Sequence, residues 1–336
     1  MHTNVRSYLI DLLGIVLICV SLYIISVSSS LQETFQLPAS LYNMNIIFLS
    51  IIIEALPFVL IGVLIAGCIQ IFITEHHIKR LIPKNRMLAV VMSCVVGALF
   101  PACECGIVPI VRRLVAKGVP IYAGIGFLLT GPLINPIVIL STYMAFGNDW
   151  RMALYRMFIG FFIAVIIAFI ISILYRSHQL KQQYAIQANS LIQIDRVNRQ
   201  PLKEKIFNML THSIDEFFDM GKYLFIGALL AAYVQTYIAS ESFLMLGNGV
   251  ASSTFIMMGL AYFLSLCSEA DAFIGASFSN LFPPTAILAF LIYGPMIDLK
   301  NTLMLLSVFR AKFVFVLLFI ITIIVFGMLM IVNRFI

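Results

Sequence analysis

Residues 87–117, MLAVVMSCVVGALFPACECGIVPIVRRLVAK, decide how the chain is read. The run is apolar up to Phe100, breaks at Pro101-Ala-Cys-Glu-Cys-Gly106, and is apolar again until Arg112 and Arg113. Lys79, Arg80, Lys84 and Arg86 precede it and Lys117 closes it. Lys and Arg collect at the cytoplasmic ends of membrane segments, so a single crossing would leave one of these basic clusters on the wrong side. A segment basic at both ends is expected to enter and leave on the cytoplasmic side, as a re-entrant hairpin with its tip at 101–106. Its arms, 87–100 and 105–116, fall short of the roughly 20 residues a helix needs to cross the hydrocarbon.

The rest of the chain suits a membrane setting. Of 336 residues, 62% are hydrophobic and 11% charged, with a mean hydropathy of +1.04, against about 45–50% and about 25% in soluble domains. So much apolar surface leaves too few polar residues to coat one water-soluble core. This excludes a soluble enzyme and predicts an all-α polytopic membrane protein. The net charge of +6, from 21 basic and 15 acidic residues, is assigned to cytoplasmic loops and not to nucleic-acid binding. Apolar runs fall at 8–28, 44–73, 87–116, 119–146, 151–175, 207–238, 250–280, 282–299 and 302–332. The first is read as a retained transmembrane helix and not a signal peptide. Residues 29–45 carry no Lys or Arg and residues 176–206 carry six, which puts the N-terminus in the cytoplasm.

An internal duplication underlies this series. Shifting the chain by 163 sets Pro120 on Pro283, Gly131-Pro132 on Gly294-Pro295, Asn135 on Asp298 and Glu104 on Cys267; a shift of 165 sets Glu54 and Gly62 on Asp219 and Gly227. The expected organisation is an N-terminal helix and external loop (1–43), repeat 1 (44–175), a cytoplasmic linker (176–206) and repeat 2 (207–336). The first repeat starts outside and the second inside, so the two have inverted topology. The second hairpin, 250–280, contains no Lys or Arg and is expected to re-enter from outside. Inverted repeats with interrupted helices are a recurring plan of secondary transporters, with broken backbone around a central site.

Charged groups in apolar segments are costly and mark functional sites by default. Here they are Glu54, Glu104, Asp219, Glu269, Asp271 and Asp298. Glu54 and Asp219, at matching repeat positions, are the candidate proton-coupling pair; pairing of Asp219 with Lys222 is the structural alternative. Cys103 and Cys105 flank Glu104 at a helix break, and thiolates at helix N-termini favour soft, thiophilic centres. Cys267-Ser-Glu-Ala-Asp271 adds a sulfur and two carboxylates at the equivalent place. The expected substrate-binding set is therefore Cys103, Glu104, Cys105, Cys267, Glu269, Asp271, Asn135 and Asp298, with Cys103, Cys105 and Cys267 as the metal or metalloid ligands. Cys19, Cys68 and Cys94 read as small packing hydrophobes. His76-His77 reads as an interfacial feature. No phosphate-binding loop occurs, so the chain is not itself an ATPase, and no buried His accompanies the cysteines as an enzyme nucleophile would require.

Pro101-Ala-Cys-Glu-Cys-Gly-Ile-Val-Pro109, Gly126-Phe-Leu-Leu-Thr-Gly-Pro-Leu-Ile-Asn-Pro136, Cys267-Ser-Glu-Ala-Asp-Ala-Phe273 and Gly294-Pro-Met-Ile-Asp-Leu-Lys300 resemble the four signature stretches of the ArsP/YraQ-type predicted permease family, over nearly everything from residue 44 onward. The resemblance implies a multi-pass permease of the bacterial inner membrane, some relatives exporting trivalent organoarsenicals by means of cysteines. By position that role would fall on Cys103, Cys105 and Cys267. The expected function is a secondary transporter exporting a soft thiophilic solute, coupled to protons. The alternatives are a divalent-metal (zinc-type) transporter and a non-transporting subunit that anchors a partner. No cofactor is expected. The partners are the lipid bilayer, a small solute or ion, and either a second copy of the chain or a small membrane protein.

Overall fold

The computed structural model describes residues 39–72, 83, 85–101, 103–175, 179–181, 202–237 and 249–334. The apolar run at 8–28 with Cys19, the His76-His77 pair and most of the 176–206 linker lie outside the described residues. The described residues form twelve helices: α1 Ala39–Phe72, α2 Arg86–Leu99, α3 Glu104–Ala116, α4 Ile121–Ile134, α5 Pro136–Ala145, α6 Trp150–Leu174, α7 Leu202–Tyr237, α8 Val250–Leu264, α9 Ser268–Ser277, α10 Pro284–Met296, α11 Leu299–Val308 and α12 Ala311–Val332. Among the described residues six stretches are long and apolar enough to cross a membrane: α1, α4 with α5, α6, α7, α10 with α11, and α12.

Local chemistry explains the breaks. Phe100 is extended (φ −90°, ψ 114°) because a residue before proline is pushed out of the helical region, which ends α2 at Pro101. Asn135, before Pro136, is extended for the same reason and then caps α5. The second half reaches the same break without a following proline, because Asp298 takes an extended conformation and its carboxylate accepts the Asn301 amide. The apolar pattern ends the eighth run at 299, one residue before Lys300. Instead the span continues to Val308, because Lys300 is buried and bonded to protein groups.

Neighbouring residues fix the direction of the short helices. Gly97 lies under Phe127 and Thr130, and Gly126 against Ser93 and Cys94, so α2 runs alongside α4 in the same direction. Gly131 faces Ile107 and Gly124 faces Val111 and Val115, so α3 runs the opposite way. The chain therefore turns back between Phe100 and Cys103, and the Arg86 and Lys117 ends lie at one end of α4. Spans of 14 and 13 residues make helices of about 20 Å, short of the about 30 Å hydrocarbon thickness. In the second half Gly294 meets Ala261 of α8 and Asp271 of α9, as Gly131 meets the Gly97 carbonyl and Ile107 in the first.

The order long helix, two short helices, broken helix, long helix thus occurs twice, over 39–174 and 202–332. Pro120 and Pro283 both start a broken helix, and Cys103 and Cys267 both cap the second short helix. The shift of 163 that set Glu104 on Cys267 is one residue off at the tips: the caps pair Cys103 with Cys267 and Glu104 with Ser268. The connection from Cys267 to Pro283 is one residue shorter than that from Cys103 to Pro120, which absorbs the difference. Packing crosses between the halves, with α5 on α9, α3 on α11 and α4 on α10. The central α4 and α10 are almost wholly buried, while α1, α6 and α12 present Ile53, Phe58, Phe158, Phe162, Phe315 and Phe319 outward, as lipid-facing helices should.

Helix α1 approaches α3 backbone to backbone. A Cβ on Gly62 would run into the Gly106 carbonyl, and one on Gly106 would come within 2.8 Å of the Phe58 carbonyl. Backbone cannot give way as a side chain can, so Gly62→Ala is expected to cost about 1–3 kcal/mol through overpacking. A thermal unfolding midpoint in detergent equal to wild type would show that the two helices can part freely.

Candidate functional site

The two turns between short helices meet. Ser268, at the start of α9, donates its hydroxyl to Glu104 Oε1 at the start of α3 (3.3 Å). A cleft beside this contact is lined by Cys103, Glu104 and Cys105 from the first tip and Ser265, Cys267 and Glu269 from the second, with Glu54 of α1 and Lys300 of α11. Helix N-termini carry about half a positive charge each, and α3 and α9 both start here. Cys103 and Cys267 are half-buried, and Cys105 is buried against the core. The Cys267 sulfur accepts the Ala270 amide (3.4 Å), and Glu54 reaches the same thiol.

The other expected site residues sit behind this cleft. Asn135 is buried and used within its own break, accepting the Val138 amide at 2.9 Å and donating to the Gly131 carbonyl at 3.3 Å. Asp298 caps α11 and lies 3.5 Å from Lys300 Nζ. Asp271 is buried beneath Gly294. Asp219 is half-buried, pairs with Lys222 at 2.8 Å, and does not line the cleft with Glu54. Among the described residues no group of three His, Cys, Asp or Glu side chains is placed to hold a metal ion. Cys105 lines the cleft and is also buried in the core, while Cys103 and Cys267 occupy the capping positions.

Two buried cations escaped the sequence reading. Lys300 Nζ donates to the carbonyl of Ser265 (3.0 Å), whose φ of 48° is left-handed, a strained conformation for a residue with a side chain. Arg156 of α6, 1% exposed, donates to Thr142 Oγ1 at 2.8 Å and to the Ser268 carbonyl at 3.1 Å. A third buried cluster joins the other end of α3 to α7, where Glu216 pairs with Arg112 at 3.0 Å and with Arg113.

A polytopic helical protein with interrupted helices around a polar cleft has the build of a membrane permease. The chain belongs to a family described as predicted permease, ArsP_1, whose model matches residues 40–334. It is 48% identical over 292 residues to UPF0718 protein YcgR of Bacillus subtilis, covering 85% of this chain and 96% of that one. It is also 40% identical over 279 residues to a Streptococcus mutans protein named as a subunit of a two-component membrane permease complex, covering 83% and 91%. No solved structure matches. The protein is accordingly a multi-pass membrane permease.

Proposed function

We propose that this permease exports a soft, thiophilic solute of the trivalent-arsenical type through the cleft between the two tips, and that the two hairpins re-enter the membrane from opposite faces of an inverted repeat. The observation that carries the reading is the pair of cysteine caps, Cys103 and Cys267, whose residues both line one cleft at helix N-termini. A dihydroxy arsenical meeting two thiols forms a dithiolate and releases two waters, a chemistry that needs two accessible sulfurs and no third. Glu54, beside the Cys267 thiol, is the acid assigned to proton exchange. Support for the inverted arrangement comes from charge: Arg86, Arg112, Arg113 and Lys117 lie at the open end of the first hairpin, whereas residues 250–280 contain no Lys or Arg.

Uptake of a trivalent phenylarsenical into everted vesicles, per folded molecule, tests the sulfur role. Cys103→Ser and Cys267→Ser exchange a soft ligand for a hard one of similar size and are expected to reduce uptake to background. Cys94→Ser, buried on α2 against Gly126, is expected to transport as wild type. Equal activity in all three variants would remove sulfur from the mechanism. The name of the Streptococcus mutans relative, a subunit of a two-component complex, supports a second element, a partner subunit, which co-purification of tagged chain from native membranes would reveal.

A further inference from the structure

We propose that Arg156 is the positioning residue of the second tip: by gripping the main-chain carbonyl of Ser268 it sets the Ser268 hydroxyl on Glu104 and keeps the two tips in register across the cleft. The link runs from α6 to α9 to α3 through two bonds, 3.1 Å from Arg156 Nη2 to the Ser268 carbonyl and 3.3 Å from the Ser268 hydroxyl to Glu104 Oε1. All three residues are buried, at 1%, 3% and 2% exposure. The other arm of the guanidinium is anchored on Thr142 of α5 at 2.8 Å, and α5 is the helix on which α9 packs. Arg156 therefore holds α9 to α5 at its first residue, immediately after the Cys267 cap.

The chemistry calls for arginine specifically. A guanidinium presents donors in a rigid fork and can hold Thr142 and Ser268 together, while an ammonium is a point charge on a flexible stem. The competing role is simple charge balance, since Asp271, Glu269 and Glu104 all act on Arg156 electrostatically, Asp271 most strongly. Lysine would satisfy that role and would not satisfy the fork. The two hairpins also differ here: the position of Asp271, against Gly294, is taken in the first half by Ile107 against Gly131. Among the described residues, only the second tip carries this charged tether from a long helix.

The inference rests on the reading of the cleft as the transport path, and its test is independent of transport. Alkylation of Cys267, Cys103 and Cys94 by N-ethylmaleimide is followed by peptide mass in detergent-purified protein, for wild type, Arg156→Lys and Arg156→Met/Asp271→Asn. The double variant removes both charges together, so it avoids an uncompensated buried carboxylate. Loss of the grip is expected to speed Cys267 alkylation about tenfold in both variants, by local opening at α9, with Cys103 and Cys94 within about twofold of wild type. Wild-type rates at Cys267 in either variant would overturn the proposal, leaving Arg156 as a counter-charge. Parallel acceleration of all three thiols would overturn it as well, because the effect would then be fold-wide.

Discussion

Glu216→Ala is expected to destabilise the protein by about 3–5 kcal/mol, the usual effect of removing one partner from a buried ion pair. Glu216 lies on α7 with 4% exposure, and its carboxylate accepts from Arg113 Nε at 3.0 Å and pairs with Arg112 Nη1 at the same distance. Both arginines are near the end of α3, and Arg112 is itself buried. Truncation leaves two guanidiniums of one hairpin without the carboxylate they share, in a region where water is excluded. Glu216→Gln keeps shape and one acceptor and is expected to fall between. Asp219→Ala is the comparison: it breaks a pair within one helix and cannot separate α3 from α7. Thermal unfolding in detergent checks all three, and a Glu216→Ala transition no lower than that of Asp219→Ala would show that the cluster does not bind the hairpin to α7.

The parts of this molecule legible in the sequence are those where a local rule is strong. Pro101 and the two basic clusters give the first turn-back, because proline acts on its immediate neighbour and Lys/Arg bias acts on short loops. The tips were legible as a site because acids and thiols are rare and costly in apolar runs. Arg156 was not legible: it stands five residues after Arg151 near the start of an apolar run, like any interfacial arginine, and its partners come from positions 142 and 268. Lys300 looked like the end of a helix for the same reason. Asp219 matched Glu54 by spacing from a glycine, yet spacing does not fix which face is covered. Helix α1 packs on α3 while α7 packs on α11, so the matching positions meet different surroundings, and Asp219 turns to Lys222.

The charged groups at the start of α11 predict a second large effect. Lys300→Met removes the ammonium 3.5 Å from Asp298 Oδ2 and the donor 3.0 Å from the Ser265 carbonyl, and replaces them with a side chain of similar length. Asp298 is 1% exposed and Ser265 is 1% exposed, so neither group can turn to water. Glu104, buried beside Asp298, loses the same counter-charge. Breaking the pair is worth about 3–5 kcal/mol, and a buried carbonyl left without a donor adds about 1–3 kcal/mol. The left-handed backbone at Ser265 has then lost the bond that holds it, so the second tip should loosen along with the fold. Adding Asp298→Asn separates the two contributions. The amide still accepts the Asn301 N–H that starts α11 and no longer needs a cation, so the double variant Lys300→Met/Asp298→Asn is expected to regain the larger share of the lost stability. Unfolding midpoints of the wild type, both single variants and the double variant make a double-mutant cycle. Strictly additive losses would mean that Lys300 and Asp298 do not act on each other, and that Lys300 serves the Ser265 carbonyl alone.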